Sequence, residues 1–395
     1  MISSKRTIKS MTALFVGMAF VFVGNALMLS SVGVILKQNN INETFIGLIG
    51  SCFFMGGILG TISGHRIISK IGHIRAFGLF SAGFSICIIM HNLSPQLYFW
   101  GFLRVIMGFC YYGLLMIIES WLNEKAQDSI RQRVLSFYEL VFYASFGLSS
   151  LLIALNLSTQ TLFIVAACFI MFSSIPLNLI RITEPVIPPK SRISLPNIFN
   201  IAPLALFTSF IGGMLIGGFF AMASLFVLLQ GYDAGAVSLF IFFGLLGGFI
   251  AQSVIGVLSD YLGRKFSIML CACISLFAML LFVFFEFKML WQCVLVLFLG
   301  MGIFCLYALA LARANDMLED NSKRVELGRA VLFSYLLGSL ISPLLLGVIM
   351  QEFSYKGFVW FYVLNLIALI LFVLNKPNKE GKFTRSFTSM GLNDD

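Results

Sequence analysis

The sequence predicts an all-α integral membrane protein, with twelve transmembrane helices arranged as two pseudo-symmetric six-helix bundles. Three observations carry this prediction. Of the 395 residues, 59% are hydrophobic and only 11% charged, whereas a soluble domain charges about a quarter of its residues. Apolar runs near the length of about 20 residues that crosses a bilayer recur along the whole chain. A charged turn also occurs twice, about half a chain apart: "GHRIISKIGHIR" at 64–75 and "IGVLSDYLGRK" at 255–265.

The spans follow in order. The first, 11–36, comes after Lys5, Arg6 and Lys9 and is too long for a signal-peptide core, so it is expected to remain as a helix. The second, 44–64, carries the glycine run at 56–60 and ends in the first charged turn. The third, 74–91, is the weakest, because Met90-His91-Asn92 ends it early. Pro95 and the "NLS" stretches at 92–94 and 156–158 mark tight turns. The fourth span is 97–119, the fifth 133–156 and the sixth 160–181. Then comes "RITEPVIPPKSRISLPNIFN" at 181–200, whose four prolines resist helix and read as a linker. The second half repeats the pattern with spans at 202–229, 235–257, 265–285, 289–312, 327–350 and 356–375. The expected domains are thus a bundle at 1–181, a linker at 182–201, a bundle at 202–375 and a polar tail at 376–395.

Charge sets the expected orientation. With the N-terminus inside, twenty-two lysines and arginines fall in inner segments and only Lys37, Lys288 and Lys356 in outer loops. That bias is the positive-inside signature, so both termini are expected in the cytoplasm. The net charge of +9 does not imply nucleic acid, because the basic residues form no continuous stripe. The eight cysteines lie in or beside apolar segments without metal spacing and read as small buried residues. No metal site is expected.

The halves align. Setting Gly72 against Gly263 places Gly56-Gly57 on Gly247-Gly248, Ser69 on Asp260 and His73 on Arg264. Gly108 set against Gly302 pairs Glu119 with Arg313, and Gly147 falls on Pro343. Within this repeat, G-x-x-x-D-x-x-G-R-K from Gly256 to Lys265 resembles the signature loop of the major facilitator superfamily. R-x-x-x-G from Arg104 to Gly108 resembles its second motif, and "ESWLNEKAQDSIRQR" at 119–133 the run that leaves the fourth helix. With "LLGSLISP" at 336–343, the whole chain is most similar to the YcaD-like branch of that superfamily.

Two sets of residues follow. At the inner gate, Gly256, Asp260, Gly263, Arg264 and Lys265 form the charged turn. Asp260 can accept from backbone N–H groups where helix five begins, near Arg131. Arg264 and Lys265 can pair with Asp316 or Glu319, and Glu119 joins this set at the inner end of helix four. The resemblance implies a latch that closes the cytoplasmic side. The first copy, with Ser69 and His73 in place of acid and arginine, is expected to latch weakly. The second set lies within the spans. Arg104 shares a helical face with Gly108, Tyr111, Tyr112, Leu115 and Glu119. The resemblance places it on the translocation path; the alternative is snorkelling to the outer interface. Glu139, the one acid well inside a span, with Tyr143 a turn further on, is a candidate proton carrier. Asn25, Gln252, Tyr307 and Tyr335 are weaker candidates. The glycine runs at 56–60, 212–218 and 244–248 fit close crossings, and are expected at a moving seam between the halves.

No nucleophile–base pair, metalloprotease signature or phosphate-cradling loop appears, so an enzyme is not expected. The resemblance implies a carrier that takes a small solute across the inner membrane by rocking two bundles about a central cavity. It would need no cofactor, use the proton gradient and act as a monomer in the lipid bilayer. Uptake or exchange is preferred over drug or metabolite efflux, because "ELVFYASFGLSS" lacks the glycine–proline ending that antiporters of the superfamily carry in helix five. A non-transporting receptor or assembly factor on the same fold is the alternative of a different class.

Overall fold

The computed structural model describes residues 2–125, 131–155, 157–179, 202–317 and 324–376. The linker at 182–201 and almost all of the polar tail lie outside them. The described helices are α1 (Ile2–Gln38), α2 (Glu43–Ile71), α3 (His73–Met90), α4 (Leu97–Lys125), α5 (Arg131–Ile153), α6 (Thr159–Phe172) and α7 (Ile175–Asn178). After the linker come α8 (Pro203–Leu228), α9 (Ala234–Leu262), α10 (Arg264–Phe284), α11 (Met289–Ile303), α12 (Leu306–Met317), α13 (Arg324–Phe353) and α14 (Tyr355–Leu374). Among the described residues eleven stretches are long and apolar enough to cross a membrane, and Phe137–Ile153 is a shorter apolar helix.

Two spans are broken where continuous helix is expected. The sixth becomes α6 and α7, because Pro176 lacks an N–H and its ring crowds the carbonyl four residues back. The tenth breaks at Phe304–Cys305, just after Gly300 and Gly302, residues that weaken a helix. Pro343, by contrast, sits inside the unbroken α13.

Packing divides the chain into two compact units. One comprises Met1–Pro189 with Phe220–Phe242 and Pro343–Tyr355; the other comprises Lys190–Phe219 with Phe243–Ser342 and Lys356–Asp395. Within the first, the ends of α8, α9 and α13 remote from the charged turns pack on the early helices. A Cβ on Gly33 would fall 2.6 Å from Ser224 Oγ, and one on Gly47 would fall 2.1 Å from Pro343 O. Thr44 Oγ1 donates to Gln351 Oε1 at 2.5 Å, and Ser238 Oγ donates to Ser150 O.

The repeat is visible in backbone conformation. Gly72 and Gly263 have φ of 85° and 87°, left-handed values that favour glycine, and each hands the chain directly to the next helix. Close crossings repeat as well. Added Cβ atoms on Gly56 and Gly247 would fall 1.9 Å from Val105 O and 2.0 Å from Leu297 O. Those on Gly108 and Gly300 would fall 1.8 Å from Phe53 O and 2.0 Å from Gly244 O. The structural counterpart of Gly108 is therefore Gly300, which corrects the alignment with Gly302. Gly302 instead packs on Cys271 O of α10.

The glycine runs need a second correction. They make the expected close crossings, but between helices of the same half: α2 with α4, α9 with α11, and α8 with α13 through Gly213 and Tyr335 O. The reason is physical. In lipid, helices associate through close backbone contact rather than hydrophobic expulsion, so glycines serve first to weld each bundle.

Candidate functional site

The α2–α4 crossing positions Arg104. Because Gly108 brings α4 against the backbone of Phe53, the phenyl ring comes to lie under the guanidinium, with Cζ 5.1 Å from its centroid. Arg104 is 1% exposed, and its Nε and Nη1 have no hydrogen-bond partner. Among the described residues no carboxylate pairs with it. Its guanidinium is enclosed by protein atoms. Tyr111 and Tyr112 extend the aromatic wall, with ring centroids 5.8 and 6.4 Å from that of Phe53, and the Tyr112 ring also covers Gly57.

Asn25 of α1 is fully buried, and both its amide atoms lack partners.

A second cluster lies nearer the basic end. Glu119 of α4 is exposed and Glu139 of α5 half-exposed, and the two carboxylates lie within Coulombic reach. Glu139 remains the one acid well inside a span, and Glu119 sits near the end of α4. Tyr143 is buried, edge-on to Phe142 at 5.2 Å. In the second half Tyr307 and Tyr335 meet, with ring centroids 5.1 Å apart, while Gln252 is half-buried on α9.

At the second charged turn, Arg264 joins Asp260 at 2.5 Å and Asp316 at 3.3 Å, and also donates to Ser259 Oγ. Asp260 and Asp316 are 59% and 44% exposed, so each pair contributes at most about 1 kcal/mol. Among the described residues Lys265 takes no acid; its Nζ donates to the carbonyl of Lys376. Glu319 and the side chains where helix five begins near Arg131 lie outside the described residues. An added Cβ on Gly256 would meet nothing within 4 Å. In the first copy, His73 is buried beside Trp121, with Nε2 3.4 Å from Ser120 Oγ. Position 73 thus contacts the C-terminal end of α4 as position 264 contacts α12, through a hydrogen bond in place of an ion pair.

His91 carried no sequence signal beyond ending a span. It is buried between the rings of Trp100 and Phe163, 4.9 and 5.6 Å away, with Nδ1 2.7 Å from Cys87 O. Burial, with a smaller push from Arg104, lowers its pKa to about 4 against the bond to Cys87. A lowered histidine pKa means that the fold holds the neutral ring, so this stability is complete above about pH 6.5 and is lost as pH falls toward 4. Melting temperature should drop by several degrees between pH 7 and 4.5, and His91→Phe should flatten that drop.

The comparisons agree with this architecture. Residues 14–325 match the Major Facilitator Superfamily. The chain is 25% identical over 328 residues to an uncharacterized MFS-type transporter, YcaD, of Escherichia coli, covering 81% of this chain and 83% of that one. The YcaD of Salmonella typhimurium is 25% identical over 350 residues, covering 86% and 89%. Among solved structures, the fold is similar to the nucleoside transporter NupG, with a TM-score of 0.76 at 10% identity over 98% of this chain and 100% of that one. It is also similar to a bacterial homolog of the human lysosomal transporter Spinster, with a TM-score of 0.69 at 12% identity over 93% and 95%. With a family match that spans most of its length, eleven membrane-length apolar helices among the described residues and duplicated glycine turns, this chain belongs to the Major Facilitator Superfamily.

Proposed function

We propose that this protein is a proton-coupled carrier that takes up or exchanges a small solute by alternating access. It would work as a monomer in the inner membrane with both termini cytoplasmic. What supports the coupling is Glu139, an acid inside a span with Glu119 within Coulombic reach. A carboxylate in such surroundings can take up and release a proton, and neither acid has a basic partner among the described residues. The charge bias of the loops supports the orientation. The YcaD relatives and the transporter folds above support the carrier class.

The test is uptake into proteoliposomes of a solute found by melting-temperature screening, because a bound ligand raises apparent stability. Glu139→Gln should abolish accumulation driven by a pH gradient, by about tenfold or more, yet keep solute exchange. Accumulation that persists with wild-type pH dependence would exclude Glu139 as the carrier.

A further inference from the structure

We infer that Arg66, Lys70 and Arg75 bind the phosphate headgroup of an anionic phospholipid at the first charged turn. Arg66 and Lys70 lie one helical turn apart near the end of α2, so they share a face. Along that same face run Leu48, Met55, Leu59 and Ile62, all exposed. From Leu48 to Ile62 this apolar stripe is about 21 Å long, and exposed apolar side chains on a spanning helix meet acyl chains. Arg75 heads a second such stripe on α3, with Leu79, Ile86 and Ile89 exposed below it. Gly72 joins the two helices directly, and the chain between Lys70 and Arg75 keeps them within about 18 Å. All three cations are exposed, and none pairs with a carboxylate among the described residues.

The second copy of the turn does without these charges. With Gly72 set on Gly263, Arg66, Lys70 and Arg75 fall on Val257, Tyr261 and Phe266. Those three are exposed as well, so the same outward positions are apolar or aromatic in the second half. The latch positions show the reverse, because Arg264 and Lys265 fall on His73 and Ile74. Arg264 is taken by Asp260 and Asp316, and Lys265 by the Lys376 carbonyl. The first turn has thus lost charge that faces protein and carries charge that faces lipid. Ser69, in the place of Asp260, also removes the acid that would repel an anion. A phosphodiester with acyl chains fits both parts of this surface. Its oxygens match the Arg66 fork and the Lys70 ammonium, and its chains match the stripe beyond them. A free phosphate would use the cations alone.

The test titrates the purified full-length protein, in mild detergent, with phosphatidylglycerol, phosphatidylethanolamine or phosphatidylcholine. Phosphatidylglycerol should raise the melting temperature saturably by a few degrees, and more than either zwitterionic lipid. Raising salt from about 0.1 M to about 1 M should erase the difference, because the Debye length falls from about 10 Å to about 3 Å. Each cation replaced by glutamine should weaken binding about fivefold, so Arg66→Gln, Lys70→Gln and Arg75→Gln together should abolish the shift. If that triple variant fails to fold, Ser69→Asp keeps all three cations, adds an acid beside them and should also weaken binding about fivefold. A photoreactive phosphatidylglycerol should label residues 62–79 in preference to 253–270. The inference falls if the zwitterionic lipids stabilise equally, if inorganic phosphate gives the same shift, or if salt has no effect. It falls too if the shift survives the triple variant, if Ser69→Asp leaves it unchanged, or if the two turns label equally. Placing the headgroup in the inner leaflet rests on the orientation proposed above. Labelling of Ser69→Cys by an impermeant maleimide outside intact cells, above the wild-type background, would overturn that orientation and leave the lipid site.

Discussion

Gly108→Val should leave little folded protein. A Cβ there would sit 1.8 Å from Phe53 O, 2.8 Å from Phe53 C and 3.0 Å from Gly57 N. All three are backbone atoms, so no rotamer change relieves the clash. Whole helices must part, and α2 and α4 lose the contact that holds lipid-embedded helices together. Overpacking a core costs about 1–3 kcal/mol where side chains can yield; here the expected loss is at the upper end or beyond it. Gly300→Val should do the same in the second half, because its Cβ meets Gly244 O at 2.0 Å. Gly256→Ala is the control, with open space around the added methyl. The checks are monodisperse yield in mild detergent and melting temperature. Wild-type values for Gly108→Val would contradict the α2–α4 crossing described above.

Arg104→Met should move stability the other way. Methionine fills a similar volume with flexible, apolar atoms, and it removes a charge that has no counter-ion among the described residues. Replacing buried charges by apolar residues is often stabilising by about 1–4 kcal/mol, so the ligand-free protein should melt several degrees higher. Transport should vanish together with that gain. Such an opposition marks a residue kept for function and not for folding. A lower melting temperature in Arg104→Met would mean that the guanidinium has a structural partner.

Much of this was legible in one dimension. Span number, the duplicated turn and the positions of Arg104 and Glu139 follow from composition and spacing, because a bilayer fixes helix length and penalises charge. The paired positive φ of Gly72 and Gly263 also follows, since a turn between two abutting helices favours a residue without a Cβ. The break at Phe304–Cys305 was not legible, as no proline announces it. Nor was the register of Gly108 with Gly300 rather than Gly302, which differ only in the helix each one touches.

The sequence by itself determined a duplicated, twelve-span membrane chain with one intact charged turn and a few polar groups left in apolar helices. Only the tertiary structure decided which of those groups are satisfied. It brought Glu119 within Coulombic reach of Glu139, gave Arg264 to Asp260 and Asp316, and left Nε and Nη1 of Arg104 and the Asn25 amide buried without hydrogen-bond partners. The reason is that spacing fixes the face of a single helix, whereas a charge is paired or unpaired according to what the neighbouring helices bring to it.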